Sequence, residues 1–370
     1  MAKRQFRIAL AVVVATVTIA ALAAVFVVKQ ALSYPNKAHK GDGSEVAVTV
    51  ERGMSFPRIA RRLADKGLVS KPRWFRLYAM HRGATTKVRS GNYLIKNDQT
   101  PKEVLNKLLE GVKAETVKVT IPEGLNMLEV FAILGKAGVA DAKALETLAR
   151  DRAFLTTLGI DGDSIEGYLF PLTYDFIVPT PPKKVLKRLV RRFRIVWDKV
   201  RRQHAKPIKQ LKKKLGWTDR DILVMASIVE KEAVVKAEQG TISQVFVNRL
   251  TFSSFSPKRL ETDPTIRYGC TVPLQKSAAC QKFDGGHLKR IHLRDQDNPY
   301  NTYKHEGLPP GPICSPGKGA LEAAANPDGS KFLFFVARDK ARHVFSRTRK
   351  QHEKAVADYL KFRRQQKAAP

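Results

Sequence analysis

The sequence predicts an α+β protein behind one N-terminal membrane-spanning helix. Three observations predict it. Ile8–Val28 is an uncharged, apolar run close to the roughly 20 residues that cross hydrocarbon as a helix. Short segments such as Val46, Val48 and Val50 alternate apolar with polar residues, the period of a half-buried strand. Longer segments, above all Thr218–Leu250, repeat apolar residues at the three-four spacing of a helix with one buried face.

Lys3, Arg4 and Arg7 precede the apolar run, so the positive-inside rule places residues 1–7 in the cytoplasm. The run continues through Val25–Val28 past its only small-residue stretch, which favours an uncleaved anchor over a signal peptide. Residues 29–44 read as a linker, Pro/Gly-rich from Tyr34 onward. A strand–helix–helix–strand–helix unit is expected over 45–113. Gly53 turns the chain, Ile59, Leu63 and Leu68 mark a first helix, and Lys71–His81 carries Trp74, Phe75 and Leu77 as apolar anchors. Gly91–Ile95 returns as a strand, and Thr100 opens a capped helix ending at Gly111.

A larger domain is expected over 114–365. It starts with an alternating strand at Val117–Ile121 and a helix within PEGLNMLEVFAILGKAG. In Glu166–Phe176, Tyr168, Phe170, Tyr174 and Phe176 alternate, which would line one face of an extended segment. They would fill a core or offer flat faces for a ligand to stack on. Lys183–His204 is a basic amphipathic helix, with Val185, Leu186, Leu189, Val190, Phe193, Val196, Trp197 and Val200 as its apolar stripe. Lys331–Ala337 and His343–Ser346 read as a terminal hairpin, and Gln351–Phe362 as a closing helix.

The centre of the chain is Thr218–Leu250. Thr218 or Asp219 caps a helix in which Ile222, Met225, Val229 and Ala233 share a face. Glu230 and Glu232 lie at its C-terminal end. Residues two apart point to nearly opposite sides, so only one of the pair is expected to face the interior. Glu232 follows Ile228 and Val229 on the apolar face, whereas Glu230 follows Ala226 and Ser227, a smaller and more polar side. A carboxyl held among apolar side chains has its pKa raised by desolvation, as a general acid at neutral pH requires. The plainer reading is a carboxylate that caps the core and pairs with a cation.

Six ordered motifs sharpen this. EGYLFPLTYDF (Glu166–Phe176), ASIVEKEA (Ala226–Ala233), VFVNRL (Val245–Leu250), TDPT (Thr262–Thr265), YNTY (Tyr300–Tyr303) and GLPPGPICSPG (Gly307–Gly317) together resemble the endolytic murein transglycosylase (YceG-like) family. The resemblance spans about Val46 to Leu360. It implies a LysM-like subdomain at 45–113 and a YceG-like catalytic domain at 114–365. It also implies a lyase reaction at the MurNAc–GlcNAc β-1,4 bond that leaves a 1,6-anhydro end, with no cofactor and no metal. Glu232 would be the single acid and base, with Glu230 as the fallback. Glu166, Asn248, Asp263, Tyr300, Asn301 and Tyr303 would position substrate, Asp263 from a rigid pre-proline loop. At Glu261 the family usually has Gln, which puts any amide-specific bond there in doubt. Partners would be glycan strands, peptidoglycan synthases and the inner membrane, with the catalytic domain in the periplasm.

Charge fits this setting without choosing it. Lys and Arg number 67 against 34 Asp and Glu, a net charge of +33, which favours polyanions or anionic surfaces as neighbours. Nucleic acid is not expected, because the periplasmic setting removes most of it and no recognition motif occurs. Neither an HExxH zinc pattern nor a G-x-S-x-G elbow occurs in the sequence. Of three cysteines, Cys270 and Cys280 flank a short segment and suit a disulfide in an oxidising compartment, leaving Cys314 free. The reading from a different class is a non-catalytic, membrane-anchored wall-binding or scaffold protein.

Overall fold

The computed structural model describes the backbone of residues 2–38, 40–112, 115–339 and 341–368, and side chains within these from 16 to 365. The chain divides into two compact units, Met1–Ala114 and Glu115–Pro370. The boundary expected at 113–114 lies outside the described residues.

In the first unit, α1 (Ala2–Ser33) is 32 residues long. Thr16–Asn36 is apolar enough to cross a membrane, and its Val17, Leu22, Val25 and Phe26 side chains are exposed. The side chains of Ile8–Ala15, the first part of the expected span, lie outside the described residues. There follow β1 (Glu45–Val50), α2 (Phe56–Asp65), α3 (Pro72–His81), β2 (Gly91–Lys96) and α4 (Pro101–Glu110), the predicted order. β1 and β2 pair antiparallel with Val48 opposite Tyr93. Their alternation puts Val48, Val50, Tyr93 and Ile95 on a core shared with Leu63, Phe75 and Leu105. Thr100 and Glu103 close a capping box on α4. Leu77, expected as an anchor of α3, is exposed. Phe75 and Ala79 hold that helix instead, because they lie four apart on one face.

The second unit begins with β3 (Thr116–Thr120), α5 (Met127–Lys136), α6 (Ala142–Ala149) and α7 (Arg152–Thr157). β4 (Thr173–Ile177) pairs antiparallel with β3. Phe170, Tyr174 and Phe176 are buried, and Tyr168 packs edge-on against Phe193 at 5.1 Å, so these aromatics fill core. Extended backbone covers only the last part of that motif. Gly167 breaks it with φ +86°, and a Cβ there would meet Pro312 at 2.6 Å, so only glycine fits this crossing. α8 (Pro182–Gln203) buries all eight residues of its predicted stripe and leaves its Lys and Arg outside; α9 (Ala205–Leu215) ends at the left-handed Gly216.

α10 (Asp219–Glu232) is the axis of this unit. Thr218 caps it, its hydroxyl accepting from Asp221 N–H while the Asp221 carboxylate accepts from Thr218 N–H. Every residue from Ile222 to Val229 is buried, so this stretch of the helix has no solvent face. The small Ala226–Ser227 side, expected to be the more polar one, is as enclosed as the rest. It lets the 313–317 loop approach. Ser227 Oγ accepts from Ile313 N–H at 3.0 Å, and Cys314 Sγ donates to Ser227 O.

α11 (Gln239–Thr251), α12 (Asp263–Thr271) and α15 (Lys318–Ala325) pack against α10, while α13 (Ala278–Gln281) packs on α12 and α14 (Arg290–Leu293) on α13. Cys270 and Cys280 form a disulfide between α12 and α13, and Cys314 is free and buried. The hairpin β5 (Phe334–Ala337) and β6 (His343–Ser346) pairs antiparallel, and α16 (Arg349–Ala368) closes the unit. Truncation on the buried axis should be costly. Met225→Ala should lose about 2–5 kcal/mol by leaving a cavity, and Thr218→Ala about 1 kcal/mol by leaving helix N–H groups uncapped. Faster hydrogen exchange across α10, in that order of severity, is the expected measurement.

Candidate active site

Both carboxylates at the end of α10 are half-buried, on different sides of the helix. The expectation that only one would face inward therefore fails, because protein surrounds the helix on both sides. Glu230 turns toward the loops at Gly124 and Gly317 and accepts from Gly317 N–H at 3.0 Å. Its neighbour Lys231 donates to Gly124 O at 3.1 Å. Burial raises the Glu230 carboxyl above the ordinary range, with the Gly317 N–H opposing. Glu230 is not among the residues that line the cleft described next.

Glu232 sits at the floor of an open cleft of about 420 Å3, lined also by Arg249, Glu261, Thr262, Asp263 and Tyr303. Phe334, Phe335, Arg349 and His352 complete its wall. The Thr262 hydroxyl donates to Glu232 Oε1. Desolvation by burial raises the Glu232 carboxyl; the Thr262 hydrogen bond lowers it and the nearby Asp263 charge raises it further. The net direction is upward, toward a protonated acid.

Backbone geometry holds Thr262 in place. Glu261 adopts φ +54°, the left-handed region that a glutamate rarely enters. The kink lets Glu261 N–H reach Thr302 O at 3.2 Å and Thr262 N–H reach Thr302 Oγ1 at 3.1 Å. The YNTY loop thus fixes the residue that bonds the acid. Asp263 does not project from a loop, as expected, but opens α12, with Thr262 as its N-cap. Proline suits a helix's first turn, so Pro264 sets only the entry. Asp263 is exposed, and its Oδ1 accepts from Tyr303 Oη at 3.0 Å.

The other expected substrate residues are placed elsewhere. Asn248 is buried and donates to Ser330 O and Phe332 O at 2.9 and 2.8 Å, tying α11 to the approach to β5. Asn301 is also buried; its amide donates to His292, Leu293 and Asp295 carbonyls and accepts from Tyr303 N–H. It braces the loop that carries Tyr303. Tyr300 is half-buried against Tyr268, ring centroids 4.8 Å apart, away from the Glu232 cleft. Glu166 is buried and accepts from Met127 N–H at 3.0 Å and Gly167 N–H at 3.2 Å. Desolvation pushes its carboxyl up to about 7 against these bonds.

Thr262 and Arg249 lie inside the quoted motifs, yet no spacing rule singles them out. Arg249 is buried, donates to Leu333 O and Leu260 O, and lies 3.9 Å from Glu261. Phe334, Phe335, Arg349 and His352 belong to the hairpin and α16, outside every motif. Phe334 stacks on His352 at 5.1 Å. Burial, with the Arg249 and Arg349 charges, lowers the His352 imidazole. Among the described residues no group of three or more His, Cys, Asp or Glu could hold a metal ion.

The model of the YceG-like family matches residues 48–358. The chain belongs to the YceG-like family. It is 28% identical over 338 residues to a Bacillus subtilis (strain 168) protein named endolytic murein transglycosylase, covering 87% of this chain and 86% of that protein. It is 26% identical over 348 residues to the Streptococcus pneumoniae (serotype 2) protein of the same name, covering 85% of this chain. The match spans 58% of that relative's length. A crystal structure of a YceG-like protein from Listeria monocytogenes superposes with a TM-score of 0.53 at 26% identity, covering 85% of this chain and 99% of that one.

One consequence for this YceG-like chain concerns Glu166. Its folded pKa of about 7 exceeds the ordinary 4.5, so between those values the unfolded chain loses a proton that the native one keeps. Its contribution to stability is full below about pH 4.5 and falls as pH rises toward 7. Glu166→Gln should flatten that decline, read as unfolding free energy against pH.

Proposed function

We propose that this chain is a membrane-anchored endolytic murein transglycosylase with Glu232 as its acid and base. The observation that carries the proposal is the Glu232 carboxyl at the cleft floor, desolvated and bonded by Thr262, with Asp263 and Tyr303 on the adjoining wall. The shared name of the Bacillus and Streptococcus relatives supports it.

Ordinary glycosidases divide acid and nucleophile or base between two carboxyl groups. Here one group would serve twice. Protonated Glu232 gives its proton to the bridging oxygen of the MurNAc–GlcNAc bond, and the C1–O bond breaks with positive charge developing at C1. The carboxylate then takes the proton of the MurNAc 6-hydroxyl, whose oxygen closes onto C1. The product ends in 1,6-anhydroMurNAc, no water is consumed, and Glu232 regains its proton. Asp263, held by Tyr303, supplies negative charge beside the developing cation.

The setting agrees with this chemistry. α1 would anchor the chain with its basic N-terminus in the cytoplasm, leaving the second unit in the periplasm. The Cys270–Cys280 bond suits that oxidising compartment. The β1–α4 unit would serve as the LysM-like module that addresses glycan. Peptidoglycan synthases, which make the strands this activity would shorten, are the natural partners.

The test is incubation of the detergent-solubilised full chain with purified sacculi, followed by mass analysis. Anhydro ends, one water lighter than hydrolytic ends, are expected. Glu232→Gln should lose about 10²–10⁴-fold in rate, the scale of general acid catalysis, while still binding glycan. Hydrolytic ends, or binding without release by the unaltered chain, would overturn the proposal. An active Glu232→Gln with a dead Glu230→Gln would move the role to Glu230.

The pH profile gives a second check. Activity should fall on the alkaline side as Glu232 loses its proton. Asp263→Asn removes a charge that raises the Glu232 pKa, so this limb should move to lower pH. Thr262→Val removes a bond that lowers it, so the limb should move to higher pH.

A further inference from the structure

The Glu232 cleft does not end at Glu261. A second groove of about 560 Å3 shares Glu261, Phe334 and Arg349 with it and continues over Phe255 to Arg347 and Thr348. Nothing in the reaction proposed above uses this extension. Its floor is aromatic, Phe255 and Phe334 lying 5.9 Å apart. Its far end is cationic.

Arg347 and Arg349 are both exposed and have no carboxylate partner among the described residues. Arg347 lies over the Phe332 ring at 5.8 Å. Arg349 opens α16, which has no acidic residue in its first turn. A cation there faces the positive pole of a helix, so Arg349 gains nothing from the helix it begins. Thr348 and Gln351 cap that end, Gln351 Oε1 accepting from Arg347 and Thr348 N–H and Thr348 Oγ1 from Gln351 N–H. The cap fixes where the two arginines start. The one carboxylate lining this groove, Glu261, faces Arg249.

The joined cleft is therefore polarised. Glu232 and Asp263 line only the first cleft, Arg349 stands where the two grooves meet, and Arg347 lines only the extension. We propose that the extension is a subsite for a carboxylate-bearing peptide attached to the sugar chain, held by Arg347 and Arg349. Guanidinium groups suit carboxylates because their planar fork matches both oxygens. Like-charge repulsion would keep the same peptide carboxylates away from Glu232 and Asp263, leaving only uncharged sugar there. This deepens the proposed function and rests on it, since murein strands carry such peptides on alternate sugars.

Binding, rather than cleavage, separates the two ideas. Full-length Glu232→Gln chain in detergent would be titrated with soluble glycan fragments bearing peptides and with the same fragments stripped of them. The parent should prefer the peptide-bearing fragment by about tenfold, the sum expected for two exposed ion pairs. Arg347→Gln/Arg349→Gln should bring that preference to within about twofold, and added salt should erode it in the parent. Arg347→Lys/Arg349→Lys should restore part of it. A double variant that keeps the full preference, a parent with no preference, or a parent that binds neither fragment would overturn the subsite. Absence of anhydro ends from the active chain would instead overturn the proposed function, whatever the binding result. Unchanged thermal unfolding of the variants would show that a lost preference is not lost folding.

Discussion

Everything at the cleft follows from where a carboxyl group finds itself when α10 stops. A glutamate in water is ionised at neutral pH. Glu232 comes at the last turn of a helix buried from Ile222 to Val229, so its half-buried side chain is partly desolvated. The surrounding pieces decide how far that tendency goes. Thr262 offers one hydrogen bond that favours the anion, and Asp263 offers a charge that opposes it. Both belong to the start of α12. One short segment therefore tunes the acid in both directions.

That segment is held by parts that never enter the cleft. The kink at Glu261 and the two bonds to Thr302 place Thr262. Asn301 spends its amide on three carbonyls, fixing the loop from which Tyr303 reaches Asp263. Asn248 ties α11 to the strand approach that brings Phe334 and Phe335 to the opposite wall. Polar residues in a motif can thus matter as braces. A buried amide with every donor occupied holds its neighbours in place, and its loss would loosen the cleft wall it braces.

Much of this was legible in residue order. Strand alternation located β1 and β3, the apolar stripe located α8 residue by residue, and the capping chemistry of Thr218 located the start of α10. The spacing rule also put Glu230 and Glu232 on different sides of the helix. It misjudged the rest of α10, because a helical wheel assumes one wet face. Ala226 and Ser227 looked like that face, yet they are small so that the 313–317 loop can lie against them. Asn248 and Asn301 are buried with their side-chain amides bonded to backbone carbonyls. Sequence shows that a side chain can hydrogen-bond, but not whether another part of the chain has already taken its bonds. The cleft wall from β5 and α16 had no sequence signal at all. Phe334, Arg349 and His352 reach the site through tertiary packing far from any motif.

The carboxyls that burial raises in this unit differ in what surrounds them. Glu230 and Glu166 are raised by burial much as Glu232 is. Glu230, however, accepts from the backbone of the Gly317 loop, and Glu166 from the first N–H of α5 and from Gly167. Their carboxyl oxygens serve as joints between loops. Glu232 instead receives a side-chain hydroxyl, which can rotate as the carboxyl changes protonation, and it borders open volume. A raised pKa is thus common to all three acids. What distinguishes one is access combined with a partner that can reorient when the proton leaves, and only the terminus of α10 joins the two.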